Sequence, residues 1–353
     1  MKLLHVVGAR PNFPKLAPVY RAGRAAGHDQ VIVHTGQHYD ESMSASFFRE
    51  LEIPAPDVNL DVGSHSHAVQ TARIMEGMEP VLLEHAPDWV LVYGDVNSTV
   101  AAALVAVKLG IRVAHVEAGL RSHDRAMPEE INRIITDRIV DLLLTHSREA
   151  DVTLLGEGVP AERIVFVGNV MIDSLLHALE HAPVSAVEQG TVVVTLHRPS
   201  NVDDSDRLAQ LATALREIAE ERTVIFPVHP RTRQRLAAEG VDLGRVRLLE
   251  PIPYREMLAY VASAHAVVTD SGGLQEETTA LGVPCFTARD NTERPVTITE
   301  GTNQLVLDLS TLPALVRAAA RPATVRRPEG WDGQAGGRVI AALEHALVEL
   351  AIA

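Results

Sequence analysis

The chain holds one cysteine, Cys285, in 353 residues. A single thiol makes neither an intramolecular disulfide nor a cysteine zinc cluster, so a reducing, cytoplasmic setting is expected. No uninterrupted apolar stretch approaches the roughly 18 to 20 residues that span a bilayer, which excludes a membrane-spanning role. The N-terminal Leu3-Leu4-His5-Val6-Val7 is too short for a secretory core and lacks a small-residue cleavage site after it, so no leader is expected. An excess of positive charge is also missing: the net charge is −14. Nucleic-acid binding rests on counterion release from Lys/Arg patches, so no nucleic-acid partner is expected. A small anionic ligand stays allowed, because a few arginines and helix N-termini make a local positive pocket in an acidic protein. Three catalytic signatures are absent as well. The first strand is not followed by Gly-x-Gly-x-x-Gly, there is no Walker A sequence, and no Ser/His/Asp triad pattern appears. His177-Ala178-Leu179-Glu180-His181 matches the inverted zincin pattern in form. It ends against Pro183 with no third ligand indicated, so neither a metal nor a cofactor is expected.

What is present is an ordinary globular composition, 46% hydrophobic and 22% charged. The length exceeds that at which one core stops growing, which points to two domains. Apolar, β-branched runs at 3–7, 31–35, 89–92, 113–116 and 142–145 alternate with amphipathic stretches. A second series follows at 164–167, 192–196, 224–228, 246–249, 266–269, 284–287 and 304–306. Near-continuous apolar strands between helices predict parallel sheets covered on both faces. The pattern restarts: Val7-Gly8-Ala9-Arg10-Pro11-Asn12 is echoed by Leu196-His197-Arg198-Pro199-Ser200-Asn201. Pro183–Gly190 reads as a linker, 321–337 as a loop, and 339–353 as a helix. The expected fold is α/β, two doubly wound Rossmann-like domains facing a central cleft. Their bounds are 1–169, with a returning helix at 338–353, and 170–337. Such sheets bind ligands outside the carboxyl ends of their strands.

Several constellations fall at those strand ends. Thr269-Asp270-Ser271-Gly272-Gly273-Leu274-Gln275-Glu276-Glu277 is a strand, two glycines and a helix start. Glycine lets backbone N–H groups approach a phosphate, and the helix N-terminus adds roughly half a positive charge. An ordinary N-cap has the same local form; Glu277, one turn in, is placed to take ribose hydroxyls. Arg10 and Lys15 flank the first strand–helix turn, suited to a phosphate or to solvent. Asp95 follows the third strand run and caps a helix if it has no other use. Glu129 sits after Pro128 at a helix start, where the dipole favours an acid. Glu117 ends an apolar strand, where a carboxylate costs desolvation unless used or paired, Arg121 and Arg133 being the candidate partners. His197 and His229 end second-half strands and point to the same side, whereas His65 and His67 lie on a polar Gly-Ser loop.

Taken in order, these motifs make the chain resemble the non-hydrolysing UDP-N-acetylglucosamine 2-epimerases over nearly its whole length. They are Gly8-Ala9-Arg10-Pro11, Gly94-Asp95 with Ser98-Thr99, His115-Val116-Glu117-Ala118-Gly119-Leu120-Arg121, and Pro128-Glu129-Glu130 with Asn132-Arg133. His197-Arg198, Asp270 to Glu277 and Thr292-Glu293-Arg294-Pro295 complete the set. The resemblance implies a GT-B architecture, a homodimer and a UDP-N-acetylhexosamine substrate. It implies catalytic roles for Asp95, Glu117, Glu129 and His197, and UDP contacts from Arg10, Ser271, Gly272, Gly273, Glu277 and Arg294, with Lys15, Arg133, Arg198 and His229 near the ligand. The sequence departs from many members at Pro199-Ser200. Gln37-His38-Tyr39-Asp40 matches only in part a segment that holds a second, activating substrate in some bacterial members; Arg73 stands at a matching place. A hydrolysing 2-epimerase, a GT-B glycosyltransferase and a silent nucleotide-sugar sensor are the alternatives; the triple acid set argues against the last two.

Overall fold

The structure is a computed structural model that describes residues 1–36, 48–181, 188 and 190–352. Gln37–Asp40 and residues 183–187 and 189 of the expected linker lie outside the described residues. The chain divides into two compact units, Met1–His177 with Glu329–Ala353, and Ala178–Pro328.

The first unit is built on a parallel sheet of β1 (Lys2–Val7), β2 (Asp29–His34), β3 (Val58–Asn59), β4 (Trp89–Tyr93), β5 (Val113–Ala118), β6 (Leu142–Thr145) and β7 (Ile164–Phe166). The strand order is β3-β2-β1-β4-β5-β6-β7. β4 and β5 are buried along their whole length, as expected of strands covered on both faces. Even the polar centre of β1 is satisfied in the core: His5 bonds Tyr93 Oη at 2.7 Å and Gln30 Oε1 at 2.9 Å. Burial pulls its imidazole down to about 4, so it stays neutral.

The second unit repeats the plan with β8 (Val192–Thr195), β9 (Val224–Pro227), β10 (Arg247–Leu249), β11 (Ala266–Thr269), β12 (Cys285–Thr287) and β13 (Asn303–Leu305). Its order is β10-β9-β8-β11-β12-β13, over a core that includes Val194, Leu211, Leu215, Phe226 and Val268. In both sheets the order reverses once, between β1 and β4 and between β8 and β11. At such a reversal the loops leaving the two central strands diverge to opposite faces and open a crevice. The motifs at Gly8 and Gly94 leave one reversal, and those at His197 and Asp270 leave the other.

The terminal helix starts earlier than its periodicity suggests, at Ala335 rather than residue 339. Asp173 explains the early start, since its carboxylate accepts the N–H groups of Ala335 at 3.1 Å and Gly336 at 2.8 Å. Gly336 also lets the helix approach Phe13–Ala25, because a Cβ there would stand 2.6 Å from the Pro18 carbonyl oxygen. No helix among the described residues is long and apolar enough to cross a membrane.

Candidate active site

In the first unit the end of β1 is closed down by Gly8. A Cβ on it would lie 2.1 Å from Ser98 Oγ and 2.3 Å from Thr35 Oγ1, so glycine is required. The buried Asn12 then ties this turn to β4. Its Oδ1 accepts the N–H groups of Gly8 and Ala9, both at 3.1 Å, and its Nδ2 donates to the Tyr93 carbonyl at 2.9 Å. Arg10 stands exposed on the turn so formed.

Glu117 is where β5 breaks register, between Val116 and Ala118, and it adopts a left-handed φ of 74°. Its carboxylate is ion-paired with Lys15, and both side chains are buried. One expected partner is corrected here: Arg121 pairs instead with Asp137 and Glu157. Arg133 bonds Asp95 and Glu130. Lys15 reaches Glu117 because Gly94 leaves room: a Cβ on Gly94 would stand 2.6 Å from Lys15 Nζ. Sequence offered no signal for this pair, which links the first helix to the fifth strand.

Asp95 is not a helix cap; Val96 occupies the N-cap of Asn97–Lys108 without a side-chain bond. Arg133 instead holds the Asp95 carboxylate, and Asn132 donates to its carbonyl at 2.9 Å. The other arm of Arg133 bonds Glu130 at 2.5 Å. Glu130 also accepts from the Ser122 N–H at 2.9 Å, the Ser122 hydroxyl at 3.0 Å and the His123 N–H at 3.0 Å. Burial opposes ionisation of Glu130, but these bonds outweigh it and hold its carboxyl below the ordinary range. Glu129, half-buried beside it, has no hydrogen bond or ion pair among the described residues. Asp95 and Glu117 thus leave neighbouring strands, since Tyr93 pairs with Val116, while Glu129 adjoins the acid that shares Arg133 with Asp95.

In the second unit Asp270, fully buried, organises the turn after β8. It accepts from the His197 N–H at 3.0 Å, the Arg198 N–H at 2.9 Å and Asn201 Nδ2 at 3.0 Å, and lies 3.1 Å from His197 Nδ1. Burial would raise its carboxyl, yet His197 and these donors hold it below the usual range. Asn201 also donates to the Ala288 carbonyl at 2.9 Å. The departure at Pro199-Ser200 therefore leaves a built turn, with Pro199 opening a short helix to Val202. His197 itself is exposed, as is His229, whose Nδ1 caps Pro230–Ala238.

Gly272 and Gly273 open the helix Gly272–Leu281, with Ser271 at its N-cap. The first N–H groups of a helix lack intrahelical partners and face outward. Arg294 is seated against them: a Cβ on Gly272 would meet its Nη1 at 2.6 Å. The guanidinium is clamped by Glu276 at 3.1 Å and Glu293 at 2.5 Å. Glu293 in turn bonds Arg289 at 2.8 Å and lies 3.9 Å from Arg198. Burial opposes the charge on Glu293, and the arginines reverse this, holding its carboxyl far below the ordinary range. Arg198 is also pushed down, by burial first and then by Arg289. Glu277 is buried and has no cationic partner among the described residues; the Tyr254 hydroxyl donates to it at 2.8 Å. Burial lifts its carboxyl to about 7, and Glu276 adds to the lift. Tyr254, Asn201 and Asp270 join the candidate site through these contacts and were not among the expected site residues. Only the Asp270 motif carried a local signal.

Comparison with known proteins agrees with this plan. The family model described as UDP-N-acetylglucosamine 2-epimerase matches residues 21–344. A UDP-N-acetylglucosamine 2-epimerase of Methanocaldococcus jannaschii is 41% identical over 98% of this chain and 99% of its own. The crystal structure of a Methanocaldococcus jannaschii UDP-GlcNAc 2-epimerase in complex with UDP-GlcNAc and UDP superposes with a TM-score of 0.90 at 40% identity, covering 98% of this chain and 100% of that one. A UDP-2,3-diacetamido-2,3-dideoxy-D-glucuronate 2-epimerase of Pseudomonas aeruginosa is 44% identical over 87% of this chain and 88% of its own. Sequence motifs, doubly wound units and relatives agree: the chain belongs to the UDP-N-acetylglucosamine 2-epimerase family.

Proposed function

We propose that the chain interconverts UDP-N-acetylglucosamine and UDP-N-acetylmannosamine without hydrolysis. The observation that carries the proposal is the set of cation-paired acids at the carboxyl ends of the adjacent strands β4 and β5, Asp95 on Arg133 and Glu117 on Lys15. A fold needs no such buried charges for stability alone, since apolar replacements usually serve as well.

The C2 proton of the sugar has no adjacent carbonyl, so abstraction to a free carbanion is too slow. Elimination avoids it. The C2–H bond gives its proton to a carboxylate, the pair forms the C1–C2 double bond of 2-acetamidoglucal, and the C1–O bond breaks with its electrons leaving on UDP. The return step delivers a proton to C2 from the opposite face while a β-phosphate oxygen of UDP re-forms the bond to C1. Asp95, Glu117 and Glu129 serve as the proton-transfer and charge-stabilising acids, as paired acids do in glycoside chemistry. Glu129, with no partner among the described residues, is the one free to exchange a proton. Arg294 and the Ser271–Gly273 turn receive the charge that develops on the diphosphate. Glu277 takes the ribose hydroxyls; His197, Arg198 and His229 line the approach. Arg133 orients Asp95. UDP serves as leaving group and returning nucleophile, so no metal is required.

The Pseudomonas relative favours a second substrate, the 2,3-diacetamido hexuronate. Incubation with each nucleotide sugar in heavy water, followed by proton NMR, separates the cases. The expected product is the UDP-manno isomer carrying deuterium at C2. Free N-acetylmannosamine instead marks a hydrolase, turnover of the diacetamido substrate alone marks the second reading, and an unchanged spectrum with both sinks the proposal.

A further inference from the structure

Glu117 is a non-glycine residue held at a left-handed φ of 74°, a region where the Cβ of an L-residue is crowded. Such a residue keeps that conformation only when its surroundings over-determine it. One carboxylate supplies the restraint on both sides. Asp137, 1% exposed, meets His115 Nδ1 at 2.6 Å through Oδ1, two residues before Glu117. Through Oδ2 it accepts the Gly119 N–H at 3.1 Å, two residues after Glu117. The far edge of the His115 ring faces the Gly94 carbonyl at 2.7 Å. A carbonyl oxygen only accepts, so Nε2 donates there, and the Asp137 carboxylate oxygen at Nδ1 is likewise an acceptor, so each ring nitrogen is held by an acceptor of its own.

Asp137 is itself anchored. Arg121 Nη1 donates to its Oδ2 at 2.7 Å, and the rest of that guanidinium forks onto Glu157 with two bonds of 2.8 Å. Gly119 tolerates no side chain, since a Cβ would lie 2.8 Å from the Ala150 carbonyl oxygen. The bulge therefore has nowhere to relax on its C-terminal side.

We propose that Asp137, acting through His115, is a positioning residue that sets the bulge bearing Glu117 and the Gly94–Asp95 turn as one unit. It touches no reacting atom. Its two oxygens fix the backbone around one acid, and the His115 ring transmits the same anchor to the residue before the other. The inference rests on the reading of Asp95 and Glu117 as the working acids.

The test compares Asp137→Ala, His115→Ala and His115→Gln with the wild type, after the wild type has been shown to form the deuterated epimer. In Asp137→Ala and His115→Ala, kcat is expected to fall about a hundredfold, the scale of a misplaced catalytic group. KM and the Kd for UDP should stay within about threefold, because the nucleotide residues sit on the other unit. His115→Gln keeps an N–H donor for the Gly94 carbonyl and should recover most of the lost kcat. Hydrogen exchange of the peptide covering 113–121 should quicken in both alanine variants, with the peptide covering 272–281 unchanged. Wild-type kcat in both alanine variants overturns the proposal, as does a UDP affinity that falls together with kcat. If Asp137→Ala does not fold, the His115 pair decides: equal activity of the alanine and glutamine variants overturns it. If the wild type forms no epimer, the functional reading fails, and the exchange rates alone judge the positioning role.

Discussion

Glu117 and Glu277 are both buried carboxylates, at 6% and 4% exposure, and they are satisfied in opposite ways. Glu117 has a cation: Lys15 lies against it under the glycine at residue 94. Among the described residues Glu277 has the Tyr254 hydroxyl and no cation, while Arg294 goes to Glu276 and Glu293. A buried charge is tolerated when paired, whereas a carboxylate bonded only to a neutral donor drifts toward its protonated form. Hence Glu277 is pushed up to about 7. An acid that works on protons and charge needs fixed electrostatics around it. One that accepts hydroxyls from a ligand is better prepared by a hydroxyl, which a ribose can replace like for like. On the proposed function, the two units divide the chemistry: charge compensation in the first, neutral recognition beside a clamped arginine in the second.

The strongest way to break this contrast is Glu117→Gln. The charge disappears while shape is kept, so turnover should fall about a thousandfold, in the range of a lost general acid or base. Binding of UDP-N-acetylglucosamine by titration calorimetry should persist. Full turnover in this variant removes Glu117 from the mechanism.

Next in size is Lys15→Met, which leaves Glu117 buried without its cation. Breaking one side of a buried pair costs about 3 to 5 kcal/mol, measurable as a lower urea midpoint. The double variant Lys15→Met with Glu117→Gln should regain most of that loss. A double variant no more stable than Lys15→Met shows that the ion pair does not govern the site.

Gly272→Ala probes the other unit and should be milder. The new methyl would meet Arg294 Nη1 at 2.6 Å and Glu293 Oε1 at 3.1 Å. Arg294 is clamped and must tilt, so UDP affinity is expected to weaken by about tenfold, or about 1.4 kcal/mol, with stability almost unchanged. Unchanged affinity, again by calorimetry, separates Arg294 from the phosphate.

The residues named from sequence are those that a strand end or a glycine turn announces, and the structure places them there: Asp95, His197 and Ser271 to Glu277 follow β4, β8 and β11, and Glu117 is the last residue but one of β5. Their partners were much less legible. Lys15 and Glu117 meet only because β1 and β5 flank β4 in the sheet, and no local pattern encodes that adjacency. Arg121 lies four residues from Glu117 and was the natural guess, but the left-handed bulge turns the chain and delivers Arg121 to Asp137. Asp173 advanced the last helix to Ala335 from far away in sequence, again without a local signal. Fold and strand-end residues follow from periodicity; ion-pair choice follows from sheet order, which periodicity does not carry.

The smallest expected effect is also the sharpest test of the neutral side of the comparison. On the proposed function, the ionised form of Glu277 is the one that accepts ribose hydroxyls. With its carboxyl lifted from 4.5 to about 7, affinity for UDP-N-acetylglucosamine should rise with pH through about 7 and fall below it. The folding linkage has the opposite sign. The proton retained by the native state contributes stability that is complete below 4.5 and is lost as pH rises through about 7. The Tyr254 bond acts to lower that carboxyl, so Tyr254→Phe should move the binding midpoint to higher pH and cost about 1 kcal/mol of stability, the worth of one hydrogen bond. Measurements in the Glu117→Gln background prevent turnover during titration, and the diester phosphates of the nucleotide sugar do not titrate near neutrality. Glu277→Gln has no proton to exchange and should give a flat profile between pH 6 and pH 8, a window of about one unit on either side of the wild-type midpoint. A midpoint that moves to lower pH in Tyr254→Phe, or a profile that survives in Glu277→Gln, places the titrating group elsewhere and ends the contrast between the two acids.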